Sequence, residues 1–367
     1  MKVLYIITGL GMGGAENQVI SLSQEMIKKG HNVEIISLKR RPIQLKPSDD
    51  KIIVHELDLQ FSFFSFFYSL SRLFNLINEI SPNIIHSHMI HANLVSRIYK
   101  FFNPKIKLVC TAHNTIEGGN LGMLLYRLTD KYCDFFSNVS NEAVEAFQLN
   151  GATKLKAIQC IYNGIDEKKF YFDKVARLKL RNNLGVKNKR VLLAVGRFNN
   201  QKDYPNLIDA FSKLKQNDVD DLYKLFIVGD GPLKEGIQEL IITRELCDHI
   251  SLLGIRHDIN QLMSAADCFV LSSAWEGFGL VVAESMSCNL PVVATDCGGV
   301  SEVVGGYWPL VEPKNSQALC DAILNVFGQD KEKIELTVKN AREYILKNFS
   351  LFHVSEKWQS VYTEIVG

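Results

Sequence analysis

Lys2-Val3-Leu4-Tyr5-Ile6-Ile7-Thr8 runs straight into Gly9-Leu10-Gly11-Met12-Gly13-Gly14, and a helical pattern begins directly afterwards. An apolar run of this length, without alternation and closed by a glycine turn, reads as a strand buried on both faces. Strand, glycine turn and helix in that order open a βαβ unit. The order then repeats along the chain. Further strand-like runs fall at 33 to 38, 51 to 55, 83 to 87, 106 to 112, 134 to 139 and 157 to 162. A second series lies at 190 to 195, 223 to 228, 249 to 253, 268 to 272, 291 to 294 and 307 to 311. Each half therefore has strands enough for its own doubly wound, mainly parallel sheet.

The length of 367 residues points the same way, because a single hydrophobic core seldom grows to that size. Asn163-Gly164-Ile165-Asp166 is a turn signal, and the charged stretch from Glu167 to Arg190 has no strand pattern. The expected domains are 1–165 and 166–351. Residues 352–367 carry Val354, Trp358, Val361 and Ile365 at helical spacing, a stripe that needs a surface to cover, and are expected to cross back to the first domain.

Composition bounds the class. Hydrophobic residues at 47% and charged ones at 22% are ordinary for a globular protein, and a net charge of +1 offers no basic balance for a nucleic-acid partner. The eight cysteines are scattered, with no Cys-x-x-Cys pair and no histidine at zinc spacing. Cys110, Cys160 and Cys268 lie in apolar runs and read as small buried hydrophobes. The opening apolar run is too short for a secretion signal, and no apolar stretch of about 18 residues appears. The expectation is a cytoplasmic protein without a membrane span.

One segment is unusual: Phe61-Ser62-Phe63-Phe64-Ser65-Phe66-Phe67-Tyr68. On a helix these rings cannot all share one stripe. Two readings stay open, a helix buried between sheet and neighbours, or a patch that touches a membrane or a lipid-linked molecule. Lys39, Arg40, Arg41 and Lys46 belong to the same half; they could meet anionic lipid or simply form a solvated loop.

The loop from Gly9 to Gly14 satisfies the letter of the dinucleotide fingerprint Gly-x-Gly-x-x-Gly. That fingerprint also asks for an acidic residue at the end of the second strand. Here the strand ends at Ser37-Leu38 before Lys39-Arg40-Arg41, and Glu34 sits inside it. A basic triplet suits a 2′-phosphate, so an NADP-dependent oxidoreductase is one reading. A second is a loop whose amides approach an anionic or sugar ligand, and a third is a tight turn with no ligand.

The second half holds a denser constellation. In Glu276-Gly277-Phe278-Gly279-Leu280-Val281-Val282-Ala283-Glu284, two carboxylates bracket a glycine turn and the first turn of a helix. If the helix begins near Gly279, the amides of Phe278, Gly279 and Leu280 form an anion site. Glu276 then suits sugar hydroxyls and Glu284 a ribose, since a carboxylate accepts from paired hydroxyls. Gly196-Arg197-Phe198-Asn199-Asn200-Gln201-Lys202 follows another strand and supplies two cations where ligands of open parallel sheets bind. Gly229-Asp230-Gly231-Pro232 and Gly298-Gly299-Val300-Ser301-Glu302 are further turns at the same edge.

With these motifs the chain resembles glycosyltransferase family 4, the group 1 type of retaining sugar transferases, over nearly its whole length. Gly13-Gly14-Ala15-Glu16 and Asn163-Gly164-Ile165-Asp166 belong to the match. The resemblance implies a GT-B fold, two Rossmann-like domains facing a cleft. It also implies that Arg197 and Lys202 hold the diphosphate, Glu284 the ribose and Glu276 the donor sugar, with Gly13, Gly14 and the amides of Phe278 to Leu280 near the donor. Thr111-Ala112-His113-Asn114 resembles the cleft histidine motif, which makes His113 a catalytic candidate beside Glu276. His88 and Asn114 are the acceptor-side candidates; His88 is preferred over His86 because alternation puts it toward the cleft mouth. Ser301 departs from the proline of many relatives. No Asp-x-Asp motif stands in a metal-site context, so no metal and no cofactor are expected. The implied donor is a UDP-sugar. The implied acceptor is a glycan hydroxyl, free or polyprenyl-diphosphate-linked, at the inner face of a membrane during surface-polysaccharide synthesis. A sugar-binding protein without turnover is the remaining alternative.

Overall fold

The computed structural model describes residues 1–40, 45–59, 65–153, 158–216 and 221–367. The chain divides into two compact units, Met1–Gly164 with Leu351–Gly367, and Ile165–Ser350.

The first unit is built on a seven-stranded parallel sheet: β1 (Lys2–Gly9), β2 (Asn32–Lys39), β3 (Ile53–Glu56), β4 (Ile84–His88), β5 (Lys107–Thr111), β6 (Phe135–Asn138) and β7 (Gln159–Cys160). The strands lie in the order β3-β2-β1-β4-β5-β6-β7. Continuous apolar runs form these strands because helices cover both faces, so neither odd nor even positions meet water. Leu4, Ile6, Ile36 and Leu108 pack on one face with Tyr99 and Tyr126. Val3, Tyr5, Ile7, Val33 and Ile35 pack on the other. The helix Leu351–Val366 covers that second face with Val354, Trp358 and Tyr362, all buried. Its apolar stripe has found its surface.

The second unit holds six parallel strands: β8 (Arg190–Val195), β9 (Tyr223–Val228), β10 (Ile250–Gly254), β11 (Cys268–Leu271), β12 (Val292–Thr295) and β13 (Leu310–Val311). Their order is β10-β9-β8-β11-β12-β13. Both sheets reverse direction of winding beside their first strand, between β1 and β4 and between β8 and β11. The crevice beyond the carboxyl ends at such a switch point is where open α/β sheets bind ligands.

Of the aromatic run, Phe61 to Phe64 lie outside the described residues, as does Arg41. Phe67 and Tyr68 begin the helix Phe66–Ile80 and are exposed. No helix among the described residues is long and apolar enough to cross a membrane.

Candidate functional site

In the second unit the segment after β8 and the segment after β11 meet at the switch point. Lys202 Nζ lies 2.5 Å from Glu276 Oε1, and both side chains are largely withdrawn from solvent. Ser273 Oγ donates to the same carboxylate oxygen at 2.7 Å, and Gln201 Nε2 reaches Oε2 at 3.4 Å. The two segments are laced by Ser272 Oγ donating to the Lys202 carbonyl and the Ala274 amide donating to the Gln201 carbonyl, each at 2.8 Å. The Glu276 carboxylate is thus fixed in position by Lys202, Ser273 and Gln201 at its own edge of the sheet.

Glycines determine how closely these loops pack. A Cβ on Gly298, whose φ is +58°, would stand 1.8 Å from the Glu276 carbonyl oxygen. One on Gly229 would stand 2.0 Å from the Gly196 carbonyl oxygen, and one on Gly231 2.5 Å from that of Phe198. The Gly229-Asp230-Gly231 turn therefore buttresses the loop carrying Arg197; Phe198 N donates to the Asp230 carbonyl at 3.0 Å, and Leu233 N to that of Phe198 at 3.1 Å. Arg197 itself is exposed and has no ion-pair partner among the described residues. A guanidinium so placed is available to a bound anion.

Gly279, at φ +87°, caps the helix Leu280–Ser287 in the left-handed region that favours glycine. Phe278 buries its ring against Phe349, centroids 5.4 Å apart, so it offers a ligand only its backbone. Glu284 stands one turn into the helix and is half-buried. Withdrawal from water pushes its carboxyl up to about 8, against the opposing pull of Lys169 and Lys202.

The first unit carries a separate cluster. His88 Nδ1 lies 3.0 Å from His113 Nε2, while His86 bridges the Tyr362 hydroxyl at 2.6 Å and Thr111 Oγ1 at 2.7 Å. Burial holds His86 and His88 well below the usual imidazole range and takes His113 down to about 3, so all three are neutral at pH 7. His88 is 1% exposed, in contrast to the mouth position that strand alternation suggests. The reason is that β4 is enclosed on both faces, with the Leu351–Val366 helix over His86. His88 Nε2 and His113 Nδ1 have no partner among the described residues. Asn114 is half-buried, and its carbonyl accepts from Asn138 Nδ2 at 3.0 Å.

Sequence reasoning missed what fixes His113. Glu117 Oε1 accepts the His113 amide at 2.8 Å, Glu117 Oε2 accepts the Tyr126 hydroxyl at 2.7 Å, and Asn93 Nδ2 donates to that hydroxyl at 2.9 Å. Burial raises the Glu117 carboxyl to about 7. A carboxylate four residues beyond the candidate histidine was the available signal. Gly13 and Gly14, after β1, start the helix Gly14–Lys28; the Glu16 carboxylate lies over Gly13, where a Cβ would meet it at 2.4 Å. Among the described residues no three His, Cys, Asp or Glu side chains group as metal ligands would.

The family profile described as Glycosyl transferases group 1 matches residues 164–344, and that of Glycosyltransferase Family 4 matches residues 12–169. The chain is a family 4, group 1 glycosyltransferase. It is 26% identical to N-acetyl-alpha-D-glucosaminyl L-malate synthase of Bacillus anthracis, over 98% of this chain and 95% of that one. It is also 26% identical, over 90% and 91% of the two chains, to the Campylobacter jejuni N-acetylgalactosamine-N,N'-diacetylbacillosaminyl-diphospho-undecaprenol 4-alpha-N-acetylgalactosaminyltransferase. The crystal structure of Anabaena HepE in complex with UDP-glucose superposes with a TM-score of 0.87 at 23% identity, over 99% of this chain and 100% of that one. The fold of this glycosyltransferase is GT-B. The family match displaces the NADP oxidoreductase reading, and Glu34 does not stand where an NAD fingerprint asks for an acid. Glu34 lies near the amino end of β2, away from the glycine loop, tied to Lys2 at 2.9 Å and His55 at 2.7 Å.

Proposed function

We propose that this glycosyltransferase moves a hexose or N-acetylhexosamine from a UDP-sugar to a glycan hydroxyl, with retained anomeric configuration and without a metal. The observation that carries the reading is the buttressed Lys202–Glu276 pair at the β8/β11 switch point, beside the free guanidinium of Arg197. Arg197, Lys202 and the amides that open the Leu280–Ser287 helix take the diphosphate, whose charge grows as the glycosidic bond breaks. Glu284 accepts from the ribose and Glu276 from the donor sugar. The UDP-glucose of the Anabaena neighbour and the N-acetylhexosaminyl names of two relatives support this donor class.

In the proposed step the bond from the anomeric carbon to the phosphate oxygen breaks, and the acceptor oxygen bonds to that carbon from the same face. The acceptor proton passes to the departing phosphate, because no side chain of the donor site is a free nucleophile. His113, neutral and with an unpaired Nδ1, accepts or donates one hydrogen bond to a sugar hydroxyl without bringing charge. His88 fixes its tautomer. The acceptor is proposed to be a polyprenyl-diphosphate-linked glycan at the inner face of a membrane, a reading supported by the diphospho-undecaprenol of the Campylobacter relative's name.

A thermal-shift series with UDP, GDP and ADP tests the donor, since selective binding stabilises the folded chain. UDP is expected to give the largest shift, and Arg197→Ala to remove most of it together with transfer. Undiminished transfer by both Arg197→Ala and Glu276→Ala, with every UDP-sugar tried, would overturn the assignment. EDTA is expected to leave the rate unchanged.

A further inference from the structure

Glu117 is buried, and the three groups bonded to its carboxylate all donate: the His113 amide, the Tyr126 hydroxyl and the Ile90 amide. His113 follows β5, and Ile90 opens the helix Ile90–Phe102 that follows β4. One carboxylate therefore joins the carboxyl ends of two neighbouring strands, the ends that carry His88 and His113. Its own backbone is held close. A Cβ on Gly122 would stand 2.1 Å from the Glu117 carbonyl oxygen, and one on Gly118, at φ +69°, would stand 2.5 Å from Ile90 Cδ1. These two glycines let the loop close onto Ile90.

The joined ends hold a strained turn. Met89, between His88 and Ile90, stands at φ +72° and ψ 156°, a region that side chains other than glycine's rarely occupy. Such a turn persists only where its surroundings fix it. Here Met89 N donates to the Thr111 carbonyl at 3.1 Å, Asn93 Nδ2 donates to the same carbonyl at 3.0 Å, and Ser87 Oγ donates to Asn93 Oδ1 at 2.7 Å. Asn93 also donates to the Tyr126 hydroxyl that Glu117 accepts, so both sets of bonds belong to one network. That network frames the ring pair of His88 Nδ1 and His113 Nε2, 3.0 Å apart. Moving either strand end would part the two rings.

We propose that Glu117 is a positioning residue for sugar transfer: its carboxylate clamps the ends of β4 and β5 together and keeps the His113 ring where a sugar hydroxyl can meet it. This role rests on the reading of His113 as a sugar-binding histidine. Three donors call for an acceptor that carries no proton. A proton on Glu117 would have to be accepted by the Tyr126 oxygen, which already accepts from Asn93, and the tyrosine's own proton would lose its partner. Burial draws that protonation up to about 7, against the pull of the three donors. The groups packed around the clamp keep one form in that range: His88 and His113 are neutral, Tyr126 holds its proton, and Arg97, 5.0 Å over the Tyr126 ring, stays charged. Cys110 meets the network through Ser87 Oγ at 3.4 Å; burial raises its thiol, but Cys133 and Arg97 draw it down to about 6. The clamp therefore tightens as pH rises through about 7.

The His113 amide reports the clamp directly, because it donates to Glu117. In the full chain labelled with nitrogen-15 histidine and without substrate, the His113 amide resonance, identified by its absence from His113→Ala, is expected to move with pH about a midpoint near 7. Glu117→Gln should abolish that movement. Tyr126→Phe removes one donor to the ionised carboxylate and keeps the ring, so it should raise the midpoint, while Cys110→Ala should leave it in place. Release of UDP from UDP-N-acetylglucosamine or UDP-glucose with water as acceptor, whichever the wild type turns over, reads the function. Glu117→Gln is expected to lower kcat about tenfold or more, with donor KM within about twofold and the UDP thermal shift unchanged. A His113 amide that does not titrate, a midpoint that follows Cys110, or wild-type kcat in Glu117→Gln would overturn the proposal. So would a loss of kcat matched by loss of the UDP shift, which marks general damage to the fold. His113→Ala separates the two ways of failing. Wild-type turnover by that variant would remove the His113 reading and the proposed role with it, whereas a crippled His113→Ala beside an unimpaired Glu117→Gln would remove the clamp alone.

Discussion

A carboxyl group withdrawn from water keeps its proton, and Glu284 does so up to about pH 8. On the proposed reading ribose hydroxyls donate to Glu284 and favour its ionised form, so nucleotide binding is expected to lower that value and release a proton. UDP affinity is therefore expected to rise with pH between about 6 and 8, by at most about tenfold per unit. Calorimetry in buffers of different ionisation enthalpy should show the proton, and Glu284→Gln should flatten the profile. The two cations of the site should separate by stability. Arg197→Ala removes an exposed, unpaired side chain and is expected to move stability by no more than about 0.5 kcal/mol. Lys202→Ala leaves Glu276 charged and enclosed, for about 3 kcal/mol of lost stability by denaturant unfolding. If the two variants were equally stable, the ion pair would not have the structural part given to it. Arg197, Lys202, Glu276 and Glu284 could be named as candidates from the sequence because each lies just beyond a strand or in the first turns of a helix. Ser273, Gln201 and Glu117 were not, because spacing does not say which carboxylate or amide a side chain will reach; of the three, Glu117, four residues beyond His113, had a local signal.

At the scale of elements, the close approach of backbone at Gly298 makes a direct prediction. Gly298→Ala forces a side chain at φ +58° onto the Glu276 carbonyl. The expected result is a folded protein, with circular dichroism unchanged, whose UDP-sugar KM rises several-fold or more. An unchanged KM would mean that this turn does not position Glu276. The strands themselves were legible for a physical reason: all-parallel sheets bury both faces, so β1 and β8 appear as apolar runs closed by a glycine turn. The edge strands β7 and β13 are only two residues each, shorter than their apolar runs, because pairing with a neighbour and not composition ends a strand. The helix Gly119–Thr129, where Leu121, Leu124 and Leu128 are exposed along one stripe, shows the limit from the other side. Helical spacing says that a face is to be covered, and is silent on whether protein or something else covers it.

Over the whole molecule, the buried titrating groups divide between the two units with opposite effect. In the first, His86, His88 and His113 are neutral when folded but gain protons below about 6.5 when unfolded, while folded Glu117 keeps a proton up to about 7. Between pH 4.5 and 6.5 the three histidines outweigh Glu117 and the unfolded form binds more protons, so this unit's stability rises with pH. In the second, Glu284 is protonated when folded and ionised when unfolded over the same interval, so stability falls as pH rises toward about 8. Scanning calorimetry between pH 5 and 6.5 is expected to show two transitions moving in opposite directions; parallel movement would contradict the assignment of these groups. The return of Leu351–Val366 to the first unit has a consequence for synthesis. Ribosomes deliver domains in order, and early domains ordinarily finish first. Here the sheet that begins with Lys2 lacks the Trp358 and Tyr362 side chains covering it until residues 165–350 have been translated. The domain begun first is completed last, and a nascent chain stalled before Leu351 presents to chaperones a sheet face that the helix Gly14–Lys28 covers only in part.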